Sequence, residues 1–175
     1  MRRNDIEREA RKLLEANAVT RAPVPVEQLA NALHIDVRFS AGSEDVSGAL
    51  IRNGESVVIA VNSSQHENRQ RFTIAHELGH YLLHKGTKLH FDEDFRINYR
   101  DATSSDATKR EEVEANGFAA ALLMPQRILM RDWLRLERND KEIPETIRTL
   151  ANRYRVSHKA MELRLVNLGF ISPVE

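Results

Sequence analysis

The feature that most constrains this chain is an apolar segment, Ile74–His84, which has the character of one helix and carries two histidines four positions apart. Residues at that spacing lie nearly above one another on an α-helix, so His76 and His80 are expected to project from the same face. Two imidazoles placed in this way can bind one Zn²⁺, each at about 2.0–2.1 Å. Glu77 follows the first histidine, and its carboxylate can take a proton from a water acidified by Zn²⁺. The His-Glu-x-x-His pattern therefore predicts the metal site of a zinc-dependent hydrolase.

The residues around this motif predict where its helix begins and ends. Ser64–Glu67 has the Ser-x-x-Glu sequence of a capping box, and Lys85-Gly86 supplies a basic last turn and a terminating glycine. We therefore expect a helix over about residues 65–85. The face away from the histidines is predicted to be buried through Ala75, Leu78, Gly79 and Leu82. Because Gly79 lowers helix propensity by about 1 kcal/mol relative to alanine, another element is expected to approach the helix closely there.

A third metal ligand is expected from a second helix, because a catalytic zinc has three protein ligands and one open position. Residues 108–111, Thr-Lys-Arg-Glu, form another capping box, and Pro125 keeps the residue before it out of a helix. These signals predict a helix over about residues 109–123. Its second half is apolar on every side, so this helix must be buried and must carry its early glutamates toward the core.

Three glutamates near the start of this second helix are candidates for the third ligand. Glu112 is favoured because it shares a face with Asn116, whose amide could hydrogen-bond the outer ring nitrogen of a zinc-bound histidine. Glu114 shares its face with Phe118, which is a less polar setting, and is the fallback. Glu111 is best explained by the favourable interaction of a carboxylate with a helix N-terminus. The sequence leaves the choice between Glu112 and Glu114 open.

Other polar side chains are weaker candidates for the site. His84 continues the histidine row, but it lies about 12 Å along the helix axis from His76. It is therefore expected to contact a metal-binding histidine or the end of the helix rather than the same ion. A tyrosine could stabilise the developing oxyanion, and the candidates are Tyr99, Tyr81 and Tyr154. Tyr99 belongs to a long polar segment, residues 87–106, that shows no clear secondary-structure pattern.

Several segments, taken in order, resemble the ImmA/IrrE family of metallopeptidases. Arg69–His84 looks like the central motif of that family, and Glu112–Pro125 is similar to its second signature. Val46–Gly48, Val61-Asn62 and the stretch 150–169 also match the family's layout. The resemblance implies a cytoplasmic bacterial or phage protease that cleaves a helix-turn-helix repressor and so switches genes on.

Alternating and β-branched segments predict a small sheet. Ile35–Phe39 is expected to be one strand, and residues 45–51 and 56–61 are expected to form a hairpin around Asn53-Gly54. The strand Val57–Val61 is apolar on both faces and should therefore be central. Two helices are expected before the sheet, one capped by Asn4 and ending near Asn17 and a shorter one over residues 25–33.

The first strand of the hairpin is a candidate for substrate binding. In zincin-like folds, the strand edge beside the active-site helix binds an extended substrate by adding it to the sheet. By that analogy Ser47–Leu50 is the expected edge, and Gly48 and Ala49 are the candidate substrate-binding residues. An ordinary edge strand with a glycine bulge explains the same residues equally well.

The C-terminal segment predicts two short helices joined by a tight turn. One begins at Pro144 and ends near Arg153, and the other is capped by Ser157 and ends before Gly169. This arrangement resembles a helix-turn-helix, with basic residues at Arg148, Arg153, Arg155, Lys159 and Arg164. Because acidic residues are interspersed, a packed helical part with a solvated face is favoured about two to one over a DNA-binding one, and direct DNA binding is expected to be weak or absent.

Composition limits the class of protein. The chain of 175 residues has no cysteine, which excludes thiolate ligands, disulfides and a cysteine nucleophile. Its formal net charge is zero, so it lacks the global basic field of a dedicated DNA binder. It shows no signal peptide and no apolar run near the roughly 20 residues that span a bilayer. A cytoplasmic location without membrane attachment is the expectation.

Together these observations predict an α+β fold. A zincin-like domain over residues 1–125 would hold a small, mainly antiparallel sheet packed on the histidine helix, and residues 126–175 would form a helix-turn-helix-like helical part. The favoured function is a zinc endopeptidase acting on a protein partner. The alternative is a non-catalytic regulatory module, stabilised by a metal, that binds a repressor or DNA through its C-terminal helices. Glu77 favours the enzyme, because a structural metal site needs no base.

Overall fold

The fold is α+β in a computed structural model that describes residues 1–43, 46–54, 56–84, 89–93, 106–137 and 142–172. The elements within these residues are α1 Arg3–Ala16, α2 Val26–Ala32, β1 Ile35–Ser40, β2 Val46–Asn53, β3 Ser56–Asn62, α3 Glu67–Leu83, β4 Leu89–Glu93, α4 Asp106–Leu123, α5 Gln126–Glu137, α6 Ile143–Tyr154 and α7 His158–Asn167. Among the described helices, none has both the length and the apolar character needed to cross a bilayer.

The described strands form one mixed sheet in the order β1-β3-β2-β4. The predicted hairpin is confirmed, because β2 and β3 pair antiparallel around Asn53 and a left-handed Gly54. The prediction that β3 is central is also confirmed, since it pairs with β2 on one side and in parallel with β1 on the other. Two of the three pairings are antiparallel, and the sheet packs on α3 through β2.

The predicted edge strand is wrong. The segment Ser47–Leu50 lies inside the sheet, because β2 also pairs antiparallel with β4, placing Ala49 opposite Phe91. β4 falls in the segment for which no secondary structure was expected, and its five residues are too few for a clear alternation without their partner strand. A Cβ on Gly48 would lie 2.4 Å from Cγ2 of Thr73, so this glycine lets β2 approach α3 closely, and its role in substrate binding stays a prediction.

The starts of three helices differ from the capping signals. The side chain of His66, not Ser64, caps α3, because its Nδ1 accepts a hydrogen bond of 3.1 Å from the amide of Asn68. α1 begins one residue before Asn4 and has no side-chain cap, and α4 already begins at Asp106. Asn62 takes over part of the entry to α3, since its Oδ1 accepts from the amide of Ser64 at 3.0 Å. These starts depend on the loops that enter the helices, which a four-residue pattern does not describe.

The middle of α3 is enclosed by its neighbours. All eight residues Thr73–His80 are buried, whereas Leu82 is only partly buried. The prediction that only one face of this helix is buried therefore understates the burial of its middle. The close approach expected at Gly79 is confirmed. A Cβ there would lie 3.1 Å from the Cα of Ala115 and 3.3 Å from the Cβ of Phe118, both on α4. The absence of a side chain at this one position allows the two helices to touch.

The C-terminal helices share the hydrophobic core with the rest of the chain. Arg164 on α7 is buried and donates through Nη2 to a carboxylate oxygen of Glu7 on α1, at 3.0 Å, and through Nε to the carbonyl of Met124, also at 3.0 Å. Its assignment to an exposed basic face is therefore wrong. The cap of α7 is confirmed, since Ser157 Oγ accepts from the amide of Ala160 at 3.1 Å. The division at residue 125 stays a prediction.

Three of the other basic residues named for this part are paired with carboxylates. Arg153 lies 3.5 Å from Asp132, Lys159 lies 3.0 Å from Glu162, and Arg155 pairs with Glu67 on α3. Each contact lowers the net positive charge that the surface of α6 and α7 presents. The packed helical part is confirmed by the shared core, and weak or absent DNA binding stays a prediction.

Gly79→Ala is expected to destabilise the protein, because the new methyl group would press on the backbone of Ala115. Overpacking of this kind costs about 1–3 kcal/mol, more than the ~1 kcal/mol that alanine gains in helix propensity. Gly117→Ala is the matched control. Its Cβ would lie 3.7 Å from Ile6, an ordinary contact, so this variant should be neutral or more stable. Urea unfolding measures both, and a stabilised Gly79→Ala would contradict the close contact.

Tyr154→Phe is expected to weaken the packing of α6 on α5. The hydroxyl of Tyr154 donates to Oδ2 of buried Asp132 at 3.0 Å, and its loss should cost about 1–3 kcal/mol. Burial, and then the charge of Asp132, raise the pKa of Tyr154. The resulting stability is present below the ordinary tyrosine pKa of about 10 and is lost as the pH rises beyond it. As the pH rises through this range, the unfolding midpoint should fall less steeply for Tyr154→Phe than for the wild-type protein. Parallel curves for the two proteins would contradict the role given to the Tyr154 hydroxyl.

Candidate metal centre

The two histidines of the motif face each other on α3. The Nε2 atoms of His76 and His80 lie 2.9 Å apart, and both side chains are buried. Their four-residue spacing aligns the rings, and burial of the surrounding turns holds them within the protein. The predicted pair of nitrogen donors is therefore brought together.

Glu112 on α4 completes a group of three potential ligands. Its two carboxylate oxygens lie 3.3 Å from Nε2 of His76 and 3.3 Å from Nε2 of His80. The three donor atoms lie within 4.8 Å of one another, and Glu112 is about a third exposed, so the group borders solvent. Glu114, the fallback, is directed elsewhere and lies 3.2 Å from Nε2 of His84.

The donor set fits a divalent metal. Asn116 Oδ1 lies 2.9 Å from Nδ1 of His76 and can only accept, so Nδ1 donates to it. The neutral ring of His76 then has its lone pair at Nε2, toward the other two donors. Two imidazole nitrogens and one carboxylate oxygen are the ligand types that zinc takes in catalytic sites, with a further position left open. The residues present therefore fit the ion that the motif implies.

Glu77 is fully buried on α3, one residue after His76. The structure thus keeps the carboxylate of the expected base out of bulk solvent and close in the chain to the first histidine. His84 contacts His80, with their Nδ1 atoms 3.2 Å apart, as expected for a residue too distant to share an ion with His76.

The tyrosine candidates have different positions. Tyr99 lies outside the described residues. The hydroxyl of Tyr154 donates to Asp132. Tyr81 is partly buried, and the guanidinium of Arg52 lies 5.5 Å from its ring centre. Stabilisation of the oxyanion by a tyrosine therefore stays a prediction.

Two residues of β2 that position α3 were missed by sequence reasoning. Arg52 donates to the carbonyl of His80 at 3.4 Å and to that of His84 at 3.3 Å, which places a cation at the C-terminal end of α3. Ser47 is buried and accepts from Nη2 of Arg69 at 2.8 Å and from Gln65 at 3.1 Å. Neither set of contacts could be predicted from a short sequence motif, because a turn and the whole of β3 separate each residue from its partners in the chain.

Comparisons with known proteins agree with this arrangement. The family model described as the IrrE N-terminal-like domain, Peptidase M78, matches residues 9–166 of the chain. The radiation response metalloprotease IrrE of Deinococcus radiodurans is 37% identical over 76 residues, which cover 43% of this chain and 21% of that protein. The match thus spans about a fifth of the length of this relative. The family model covers both helices that carry the three donors.

Glu112→Ala is expected to remove most of the metal affinity, because it deletes one of three converging donors. The loss should exceed the roughly 10- to 100-fold that follows from removing a group that only supports a ligand. Glu111→Ala is the matched control, since it removes the same charge one residue earlier on α4. Zinc stoichiometry and chelator competition measure both variants, and undiminished binding by Glu112→Ala would exclude it as a ligand.

Proposed function

Since this chain belongs to the IrrE N-terminal-like family of M78 peptidases, we propose that it is a zinc-dependent endopeptidase. Its metal ligands are His76, His80 and Glu112. The observation that carries the proposal is the convergence of these three donors beside a helix that also buries Glu77. A structural metal site has no need of a buried carboxylate next to a ligand, whereas a hydrolytic site needs a base.

Zinc and the protein side chains have separate roles in the proposed reaction. Zinc, when bound, supplies Lewis acidity that polarises the scissile carbonyl and acidifies water. Glu77 accepts the proton of the attacking water and delivers it to the leaving amine. Asn116 holds the ring of His76 with Nε2 directed at the other donors. Burial of both histidines lowers the local dielectric and so strengthens these interactions.

The proposed substrate is a protein in extended conformation. β4 is an outer strand of the described sheet, and its neighbour β2 packs directly on α3. A substrate strand added beside β4 would lie at the edge of the sheet next to β2, the strand that packs on α3. Backbone hydrogen bonds would hold it there. The resemblance to ImmA/IrrE proteins supports a helix-turn-helix repressor as this substrate, and supports a cytoplasmic enzyme that derepresses genes. Direct DNA binding has no part in the proposal.

Glu77→Gln is expected to retain zinc and the fold but to lose cleavage by about 10²- to 10⁴-fold, because the amide cannot accept the proton. The assay incubates the zinc-loaded protein with a purified helix-turn-helix repressor from the same genome and detects new N-termini by mass spectrometry. Glu111→Gln, on α4, serves as the charge control. Cleavage by Glu77→Gln at the normal rate would refute the mechanism, and a wild-type protein that binds no zinc would refute the peptidase assignment.

A further inference from the structure

A second row of polar groups lies behind His80. Nδ1 of His80 is 3.2 Å from Nδ1 of His84, and Nε2 of His84 is 3.2 Å from Oε2 of Glu114. All three side chains are buried. The row therefore links a proposed metal ligand on α3 to a carboxylate on α4 that does not itself reach the three donors.

The hydrogen bonds of this row have one consistent direction. An ionised carboxylate only accepts, so Nε2 of His84 donates to Glu114. The neutral ring of His84 then has its lone pair at Nδ1, which accepts from Nδ1 of His80. His80 in turn has its lone pair at Nε2, which is the atom that lies 3.3 Å from Glu112. Reversing a bond within the row would leave two donors or two acceptors facing each other. The acceptors that meet at the other side of His80, which are Nε2 of His76 at 2.9 Å and the carboxylate of Glu112 at 3.3 Å, form the group that a cation would satisfy.

Two arginines contact the residues of this row. Nε of Arg110 donates to Oε1 of Glu114 at 2.9 Å. Nη2 of Arg52 donates to the backbone carbonyl of His84, the residue that ends α3 in an extended conformation. His84 is thus held between β2, α3 and α4, and its ring cannot turn without breaking a buried contact.

We propose that His84 and Glu114 are positioning residues that hold His80 in the tautomer whose Nε2 has the lone pair that binds a metal ion. This inference rests on the proposed function. It gives the fallback glutamate a different role, in which Glu114 acts on the site through His84 rather than as a ligand. His76 is oriented by the neutral amide of Asn116, so the two histidines are held by different chemistry.

The test compares His84→Leu with His84→Gln. Leucine fills similar space but makes no hydrogen bond, whereas glutamine can accept from His80 and donate to Glu114. His84→Leu is expected to weaken Zn²⁺ binding about 10- to 100-fold, and His84→Gln is expected to recover most of that loss. Glu114→Ala, which removes the acceptor of the His84 hydrogen bond, should also weaken Zn²⁺ binding, and Glu111→Ala, on the same helix, should not. Competition with a chelator of known affinity measures each dissociation constant.

A second readout does not depend on metal. In metal-free protein labelled with ¹⁵N-histidine, at about pH 8 where an ordinary imidazole is neutral, His80 should carry its proton on Nδ1. His84→Leu should shift His80 toward a mixture of tautomers, and His84→Gln should restore the single form. An unchanged tautomer and unchanged zinc affinity in a folded His84→Leu would overturn the proposal. If the wild-type protein bound no zinc, the peptidase assignment would fail, while the tautomer measurement would still decide whether the row positions His80.

Discussion

The contact between α3 and α4 at Gly79 determines whether this protein has a site at all. The backbone of Ala115 would lie 3.1 Å from a Cβ at this position, so a side chain here would press the two helices apart by a few tenths of an ångström. Glu112 lies one turn before Ala115 on α4, and Gly79 lies between the two histidines on α3 in sequence. A small increase in the distance between the helices would therefore move the carboxylate away from both imidazoles at once.

This arrangement places a dense group of polar side chains in the core. Hydrogen bonds between them offset the free-energy cost of burying them. His76 bonds to Asn116, and His84 bonds to Glu114, which Arg110 also contacts. Buried polar groups remain stable only when they have partners, so each imidazole is held in a defined orientation. The same requirement that makes the core stable also aims the ring nitrogens.

Local patterns predicted the elements well and their ends less well. The hairpin was correctly predicted from the Asn53-Gly54 signal because a tight turn is a local property of the backbone, although Asn53 itself is the last residue of β2 and pairs with Ser56. The start of α3 was misplaced by the Ser64 signal, because the amide of Ser64 donates to Asn62 and the helix begins later in the chain, where His66 caps it. β4 was missed and β2 was taken for an edge, since pairing between strands separated by a helix leaves no short-range trace.

The sequence by itself determined the chemistry available: two histidines on one helical face, a glutamate beside them, and a second helix that carries further glutamates inward. These follow from a period of 3.6 residues, which depends only on the local backbone. Only the tertiary structure decided that Glu112 faces the histidines and Glu114 faces His84. The reason is that two residues on one helix differ by about 200° in direction, so the rotation of α4 against α3 selects between them. That rotation is set by contacts such as Gly79 with Ala115, between residues far apart in the chain.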